Sequence, residues 1–217
     1  ANKYSVPRIC FVNKMDRTGA NFFSVVGQIR EVLGANAVPI CIPIDEGPDF
    51  KGIIDLVKMC QVRYIEEKSG TRPVDEPLSE EYREYAEKWR KNLIEAAVEM
   101  DDSLMDKYLA EEEITEDELV KAIRIGTHQQ RLFPVLCGSG VTCLGSLMLM
   151  DHIIELLPNP VQGNYHKATT ADGKVEEFVV SPGGVPSAFV WKTVSDQFGK
   201  YSFLKVLSGN VTADLAL

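Results

Sequence analysis

No stretch of this sequence is apolar for long enough to cross a bilayer, and its first residues carry no secretory pattern; a cytoplasmic location without a membrane partner is expected. Cysteine is scarce and badly spaced for structural work. The five thiols, Cys10, Cys41, Cys60, Cys137 and Cys143, are odd in number and form no C-x-x-C pair. That argues against a disulfide framework or a zinc site and for free thiols in a reducing compartment. Histidine is scarcer: His128, His152 and His166 show no ligand spacing and read as structural or exposed positions. Internal repeats and low-complexity segments are also lacking. So is G-x-x-x-x-G-K-[ST]; Gly173-Lys174 and Gly199-Lys200 have neither the upstream glycine nor the following Ser or Thr. Nothing in the sequence offers a nest of backbone amides for a pyrophosphate or ligands for Mg²⁺. The chain has no initiating Met, little sequence before its first core strand, and a strand-like run at its end, which together suggest a piece of a longer protein.

What is present is an ordinary globular composition, 45% hydrophobic and 25% charged, with length for one or two domains. The stretch that organises it is Arg8 to Arg17. Ile9 to Val12 reads as a buried strand, delivering Asn13, Lys14 and Asp16 to the loop at its carboxyl end, where open α/β sheets bind ligands. Asn-Lys-x-Asp in that setting suggests a guanine-reading loop. The Asp16 carboxylate can accept from N1–H and from the exocyclic amino group of guanine. Adenine lacks the amino group and carries an acceptor at N1, a mismatch worth roughly 1–3 kcal/mol or more. Lys14 can lay its methylene stem over the base with its ammonium in water, and Asn13 can bridge to backbone or to N7. The competing reading is a polar surface turn.

Further along, Asn21 is placed to cap a helix whose apolar positions are Phe22, Val26, Ile29 and Leu33, with Gly34 at its end. Val38 to Ile44 reads as an edge strand because of Pro39 and Pro43, and Lys51–Val57 and Cys60–Ile65 as short strands broken by Ser69-Gly-Thr-Arg-Pro73. Between Glu76 and Glu118 there are sixteen acidic residues against five basic ones, while the whole chain carries a net charge of −9. The region reads as three helices. Ser79 starts one lined by Tyr82, Ala86, Trp89, Leu93, Ala97 and Met100; Leu104, Met105, Tyr108 and Leu109 mark the second. A Thr115–Glu118 capping box opens the third, with Leu119, Ala122 and Ile123 inward. The acidic side chains are either a solvated face or a docking surface for a protein. Phe133 to Cys137 is another buried strand, followed by Gly138-Ser139-Gly140. A helix over 144–157, with Asp151, His152 and Glu155 as its polar face, stops at Pro158-Asn-Pro160. Beyond it the texture is β, with strands at Ala188–Val194 and Tyr201–Leu207 and a Ser208-Gly-Asn turn, as at the start of a barrel.

Gly138-Ser139-Gly140 alone is an ordinary turn. Paired with Asn13-Lys-x-Asp16 it makes a second wall of one pocket, a backbone N–H facing guanine O6 and the Ser139 hydroxyl bracing Asp16.

Asn13 to Ala20, Leu33 to Asn36, Val38 to Pro43, Phe50 to Val57, Trp89 to Ala96, Leu156 to Pro160, Ser187 to Lys192 and Val206 to Gly209 together resemble bacterial elongation factor G across nearly the whole chain. The resemblance implies an α/β fold: the C-terminal part of a P-loop-type GTP-binding domain over 1–35 and 131–158. An inserted acidic α+β subdomain over 36–130 and the first strands of a β-barrel domain over 159–217 complete it. It further implies a ribosome-dependent GTPase that drives translocation, acting as a monomer. GTP or GDP would be read by Asn13, Lys14, Asp16, Ser139 and Gly140, and Mg²⁺ bound outside these residues. The ribosomal stalk protein would contact the insertion, and ribosomal RNA other parts or the barrel. These residues alone, without a phosphate loop, are expected to be inactive. The family usually has Gly-Ser-Ala and a Lys-rich loop where this chain has Gly138-Ser-Gly140 and Val141-Thr-Cys-Leu144, which points to a divergent paralogue. A tetracycline-protection or release-factor GTPase, or a ribosome-binding protein without catalysis, are the alternatives.

Overall fold

The computed structural model describes residues 1–67, 70–162, 166–170, 172–178 and 180–215. It divides into two compact units, Ala1–Leu157 and Pro158–Leu217, at the Pro158-Asn-Pro160 punctuation. The first runs β1 (Cys10–Val12), α1 (Phe22–Leu33), β2 (Ala37–Pro39), β3 (Cys41–Ile44), β4 (Gly52–Asp55), β5 (Cys60–Glu67), β6 (Gly70–Pro77), α2 (Glu80–Val98), α3 (Asp102–Leu109), α4 (Glu116–His128), β7 (Phe133–Cys137) and α5 (Ser146–Leu156).

β7 lies between β1 and β2, parallel to both, and all five of its residues are buried. A central parallel strand has no solvent face, which is why Phe133–Cys137 is apolar throughout rather than alternating. α1 follows the expected caps: the Asn21 side chain accepts from the Ser24 N–H and Gly34 takes a φ of 59°. Its inward face is shorter than the spacing suggests, since only Phe22 and Val26 are buried and Leu33 is exposed.

The run Val38–Ile44 is two strands, not one. β2 ends at Pro39, the Ile40 N–H still bonds to the Val135 carbonyl, and the Ile40 carbonyl accepts from Leu56 in a second sheet of order β3-β4-β5-β6. Ile40 is the corner between sheets. Pro39 and Pro43 both lie on strands with one free edge, where a missing N–H is tolerated. The stretch read as a break at Ser69–Pro73 is also corrected: residues 70–77 form β6, antiparallel to β5, with Pro73 opposite Tyr64. As an edge strand, β6 accommodates its prolines; Ser69 lies outside the described residues.

The helices follow the sequence pattern closely. Ala86, Leu93 and Ala97 of α2 are fully buried, and Trp89 stacks on Phe23 of α1 at 4.7 Å. Arg90 donates to the carbonyls of Leu56 and Val57 at 2.6 and 2.5 Å, tying α2 to the end of β4. Ser79 does precede α2, but its hydroxyl makes no cap bond and is buried without a partner among the described residues. The expected polar face of α5 is wrong in one member. His152 is buried against the body of the unit, its Nδ1 3.0 Å from Glu155, while Leu147, Met150, Ile153 and Ile154 are exposed.

The second unit contains β8 (His166–Thr169), β9 (Val175–Phe178), β10 (Ser187–Asp196) and β11 (Gly199–Ser208). β8 and β9 lack the apolar alternation that marked β10 and β11, and sequence reading missed them. Among the described residues the strands form two separate antiparallel ribbons. The Asp196 carboxylate accepts from the N–H groups of Phe198 and Gly199 and shapes the β10–β11 turn.

The capping box of α4 is formed in full: the Thr115 hydroxyl accepts from the Glu118 N–H and the Glu118 carboxylate accepts from the Thr115 N–H. Lys107, 2.6 Å away, together with the Thr115 backbone and hydroxyl, lowers the Glu118 pKa from 4.5 to about 2. A depressed carboxylate contributes stability above its unfolded pKa and loses it as pH falls through the folded value. Glu118→Gln should therefore unfold at lower urea than the unsubstituted chain at pH 7. The difference should shrink as pH falls from about 4.5 to about 2; a gap that stays constant over that range would place the effect elsewhere.

Candidate functional site

β1 and β7 are parallel with Val12 opposite Cys137, so the loops that follow them leave the same edge of the sheet. This is the carboxyl end, where ligands of such sheets bind. The loops are then stitched together. The Gly138 N–H donates to the Val12 carbonyl at 3.0 Å, and the Gly138 carbonyl accepts from the Met15 N–H at 3.1 Å. Met15, only 1% exposed, plugs the loop into the core, and its carbonyl accepts from Gly47. Lys14 takes a φ of 67°, and Asn13 and Lys14 face outward just before that buried anchor.

The five residues singled out from the sequence are brought together. Asn13 Oδ1 accepts from the N–H of Lys14 at 2.8 Å and of Gly140 at 2.9 Å, so its amide braces the second loop against the first. Ser139 is fully buried; its N–H donates to the Leu144 carbonyl, and its hydroxyl accepts from Thr142. That hydroxyl is the main reason the Asp16 carboxyl is held below its ordinary pKa, with partial burial opposing it and the nearby Arg17 guanidinium, 3.7 Å from Oδ2, adding to it. Asp16 is thus ionised at neutral pH. Its Oδ1 is buried and has no hydrogen-bond partner among the described residues. The Asp16 side chain is still 23% exposed, so the carboxylate remains open to a ligand group with two adjacent N–H donors. The N1–H and amino group of guanine form such a pair. The residues present fit the base; the described residues hold no cluster of carboxylates, histidines or thiols for a metal ion.

In the sequence Gly138 reads only as part of the Gly138-Ser139-Gly140 turn, and Gly145 and Tyr64 have no functional reading. Gly138 and Gly145 bracket the second loop, and a Cβ at either would collide with backbone, that of Leu144 or of Cys137. The glycine spacing was visible, but its cause was not. Tyr64 of β5, 81 positions away, accepts from the Gly145 N–H at 2.6 Å, and no local pattern announces such a contact.

The two glycines of Gly138-Ser139-Gly140 differ in what they tolerate. A Cβ at Gly138 would also strike the Phe11 ring, whereas at Gly140 its nearest neighbours are the Asn13 amide atoms at 3.6 and 3.8 Å. Gly140→Ala should be neutral or stabilise by about 0.4–1 kcal/mol by restricting the unfolded chain. Gly138→Ala should cost about 1–3 kcal/mol through overpacking. Denaturant unfolding of the two variants, with equal losses as the contrary result, checks this.

Residues 1–159 match the model of the elongation factor Tu GTP binding domain. Among solved structures, the chain is similar to a crystal structure of a protein from Thermus thermophilus, with a TM-score of 0.73 and 29% identity. That match covers 96% of this chain and 28% of the other, so the chain spans little more than a quarter of its relative's length. The chain belongs to the elongation factor Tu GTP binding domain family, the guanine-nucleotide-binding domains of translational GTPases.

Proposed function

We propose that these residues form the base-reading part of the GTP-binding domain of a ribosome-dependent GTPase of the elongation factor G type, which couples GTP hydrolysis to translocation. One observation carries the reading: the ionised, part-exposed Asp16 carboxylate held beside Ser139, on a loop that Asn13 ties to Gly140. In this assignment Asp16 selects guanine, Lys14 covers the base plane, Asn13 holds the two loops in register, and an amide of the 139–141 turn faces O6. Residues 36–130 are the inserted subdomain, with β2 contributing to the sheet of β1 and β7, and 159–217 open the barrel domain. Phosphate contacts and Mg²⁺ ligands come from residues outside this chain, which has no G-x-x-x-x-G-K-[ST] even though the family match begins at residue 1. Alone, the 217 residues therefore do not hydrolyse GTP. The loss of lysines from Val141 to Leu144 favours a specialised paralogue over the main translocase.

Asp16→Asn in the intact protein should shift preference from GTP toward xanthosine triphosphate. Xanthine has a carbonyl where guanine has its amino group, and an amide can donate to it. Competition binding with both nucleotides reads the outcome, and unchanged selectivity for GTP removes Asp16 as the base reader.

The partner proposed for the acidic insertion is a ribosomal protein that presents a basic surface, with the mobile stalk component as the candidate, rather than RNA. Binding to phosphate backbones rests on Lys and Arg displacing counterions, and a segment with eleven excess negative charges between Glu76 and Glu118 repels RNA. Glu80, Glu84 and Glu87 lie exposed on α2. Reversing their charge should slow ribosome-stimulated GTP turnover of the intact protein, more so at low salt, and leave turnover without ribosomes unchanged. Undiminished stimulation at low salt would reduce this face to a solvated surface.

A further inference from the structure

The guanine-facing loop 138–145 is held at three amides. The Gly140 N–H goes to Asn13 and the Ser139 N–H closes the loop on the Leu144 carbonyl. The third anchor comes from another sheet, where the Gly145 N–H donates to the Tyr64 hydroxyl at 2.6 Å. Gly145 has a φ of 80° and no room for a Cβ, which would meet Cys137 backbone and approach Ile53 of β4 at 3.0 Å. It is also the residue before α5, where a helix leaves its first N–H groups without intrahelical partners. No side-chain cap is formed there. The tyrosine hydroxyl therefore meets the amide at the point where loop and helix join. Burial raises the Tyr64 pKa to about 12, so the hydroxyl stays neutral across the physiological range.

We propose that Tyr64 is a positioning residue for base recognition: through the Gly145 amide, the four-stranded sheet sets the height of the loop that faces guanine O6. The inference rests on the base-reading role of that loop proposed above. Asp16 and Tyr64 then control different edges of one base. Asp16 acts on N1–H and the amino group, while Tyr64 acts through the loop on O6. Any displacement of β5 relative to β7 would be transmitted to nucleotide affinity by this single bond. The contact is independent of the phosphates.

The test compares GDP with the diphosphate of 2-aminopurine riboside, which keeps the amino group and lacks O6 and, with it, the N1–H, on the intact protein and its Tyr64→Phe variant. The N1–H loss is common to both proteins, so the change between them reads the O6 side. Phenylalanine keeps the ring and removes only the acceptor. The unsubstituted protein should prefer GDP, and the variant should lose roughly fivefold of that preference, about the worth of one net hydrogen bond. Affinity for the O6-lacking nucleotide should stay within about twofold, since no O6 contact is there to be lost. The Gly145 amide should exchange with deuterium faster in the variant. A purely structural role would weaken both nucleotides alike and leave their ratio unchanged, and that result overturns the proposal. An unsubstituted protein with no preference for GDP over the analogue would instead overturn the base-reading role itself.

Discussion

The two hydrogen bonds that Gly138 exchanges with Val12 and Met15 are the constraint on which the site depends. They continue the parallel pairing of β1 and β7 one residue past the end of the strands, into what would otherwise be independent loops. The Leu144 carbonyl and the Phe11 ring leave no room for a side chain there, so the position is glycine. With Gly138 locked, Ser139 is carried into the interior next to Asp16, and Gly140 is brought within reach of Asn13. A polar pocket wall is thus built from backbone geometry first and side-chain chemistry second. The buried Met15 between exposed Lys14 and half-buried Asp16 pins the other wall to the same core.

The remainder of the first unit supports that arrangement from two directions. α1 and α2 meet through Phe23 and Trp89, and Arg90 ties α2 to the carbonyls that follow β4. The four-stranded sheet continues the main sheet around Ile40 and reaches back to the second loop through Tyr64. The acidic helical region therefore does not hang on the domain as a separate body; its buried residues join one core with those of β1, β2 and β7. Its charge is kept on the outside, where ion pairs such as Lys91 with Glu95 are exposed and contribute little to stability. That leaves the charge free to act on encounter with partners rather than on folding.

Helices and caps were readable from local pattern because their causes are local. Asn21 and the Thr115–Glu118 box satisfy amides within one turn, and the positions of Leu93, Ala97, Leu119 and Ile123 follow the helical repeat. Strands were less legible. Val38–Ile44 is uniformly apolar whether it forms one strand or two, and only the bonds made by Ile40 to Val135 and Leu56 show where it changes sheets. Ser69–Pro73 reads as a break, yet edge pairing with β5 makes residues 70–77, with their two prolines, a strand and overrides that local preference. His152 was placed on a polar face by its chemistry, although packing put it inside and left Ile153 and Ile154 exposed.

The sequence by itself determined which chemistry the site carries. Asn13, Lys14 and Asp16 follow a buried strand, and an amide, an ammonium and a carboxylate at that edge are the groups that the proposed base reading uses. Their family membership was legible for the same reason, since short strings of residue types persist where a ligand must be met. Only the tertiary structure decided which groups are already engaged and which wait for a partner. That Asn13 is occupied by Gly140 while the Asp16 carboxylate stays part-exposed beside Ser139, and that Tyr64 closes the far end of the loop, depends on contacts such as those spanning 127 and 81 positions. Such contacts leave no periodicity in the chain; they arise from the register of β1 on β7 and from the corner at Ile40, which pairing between distant segments alone specifies.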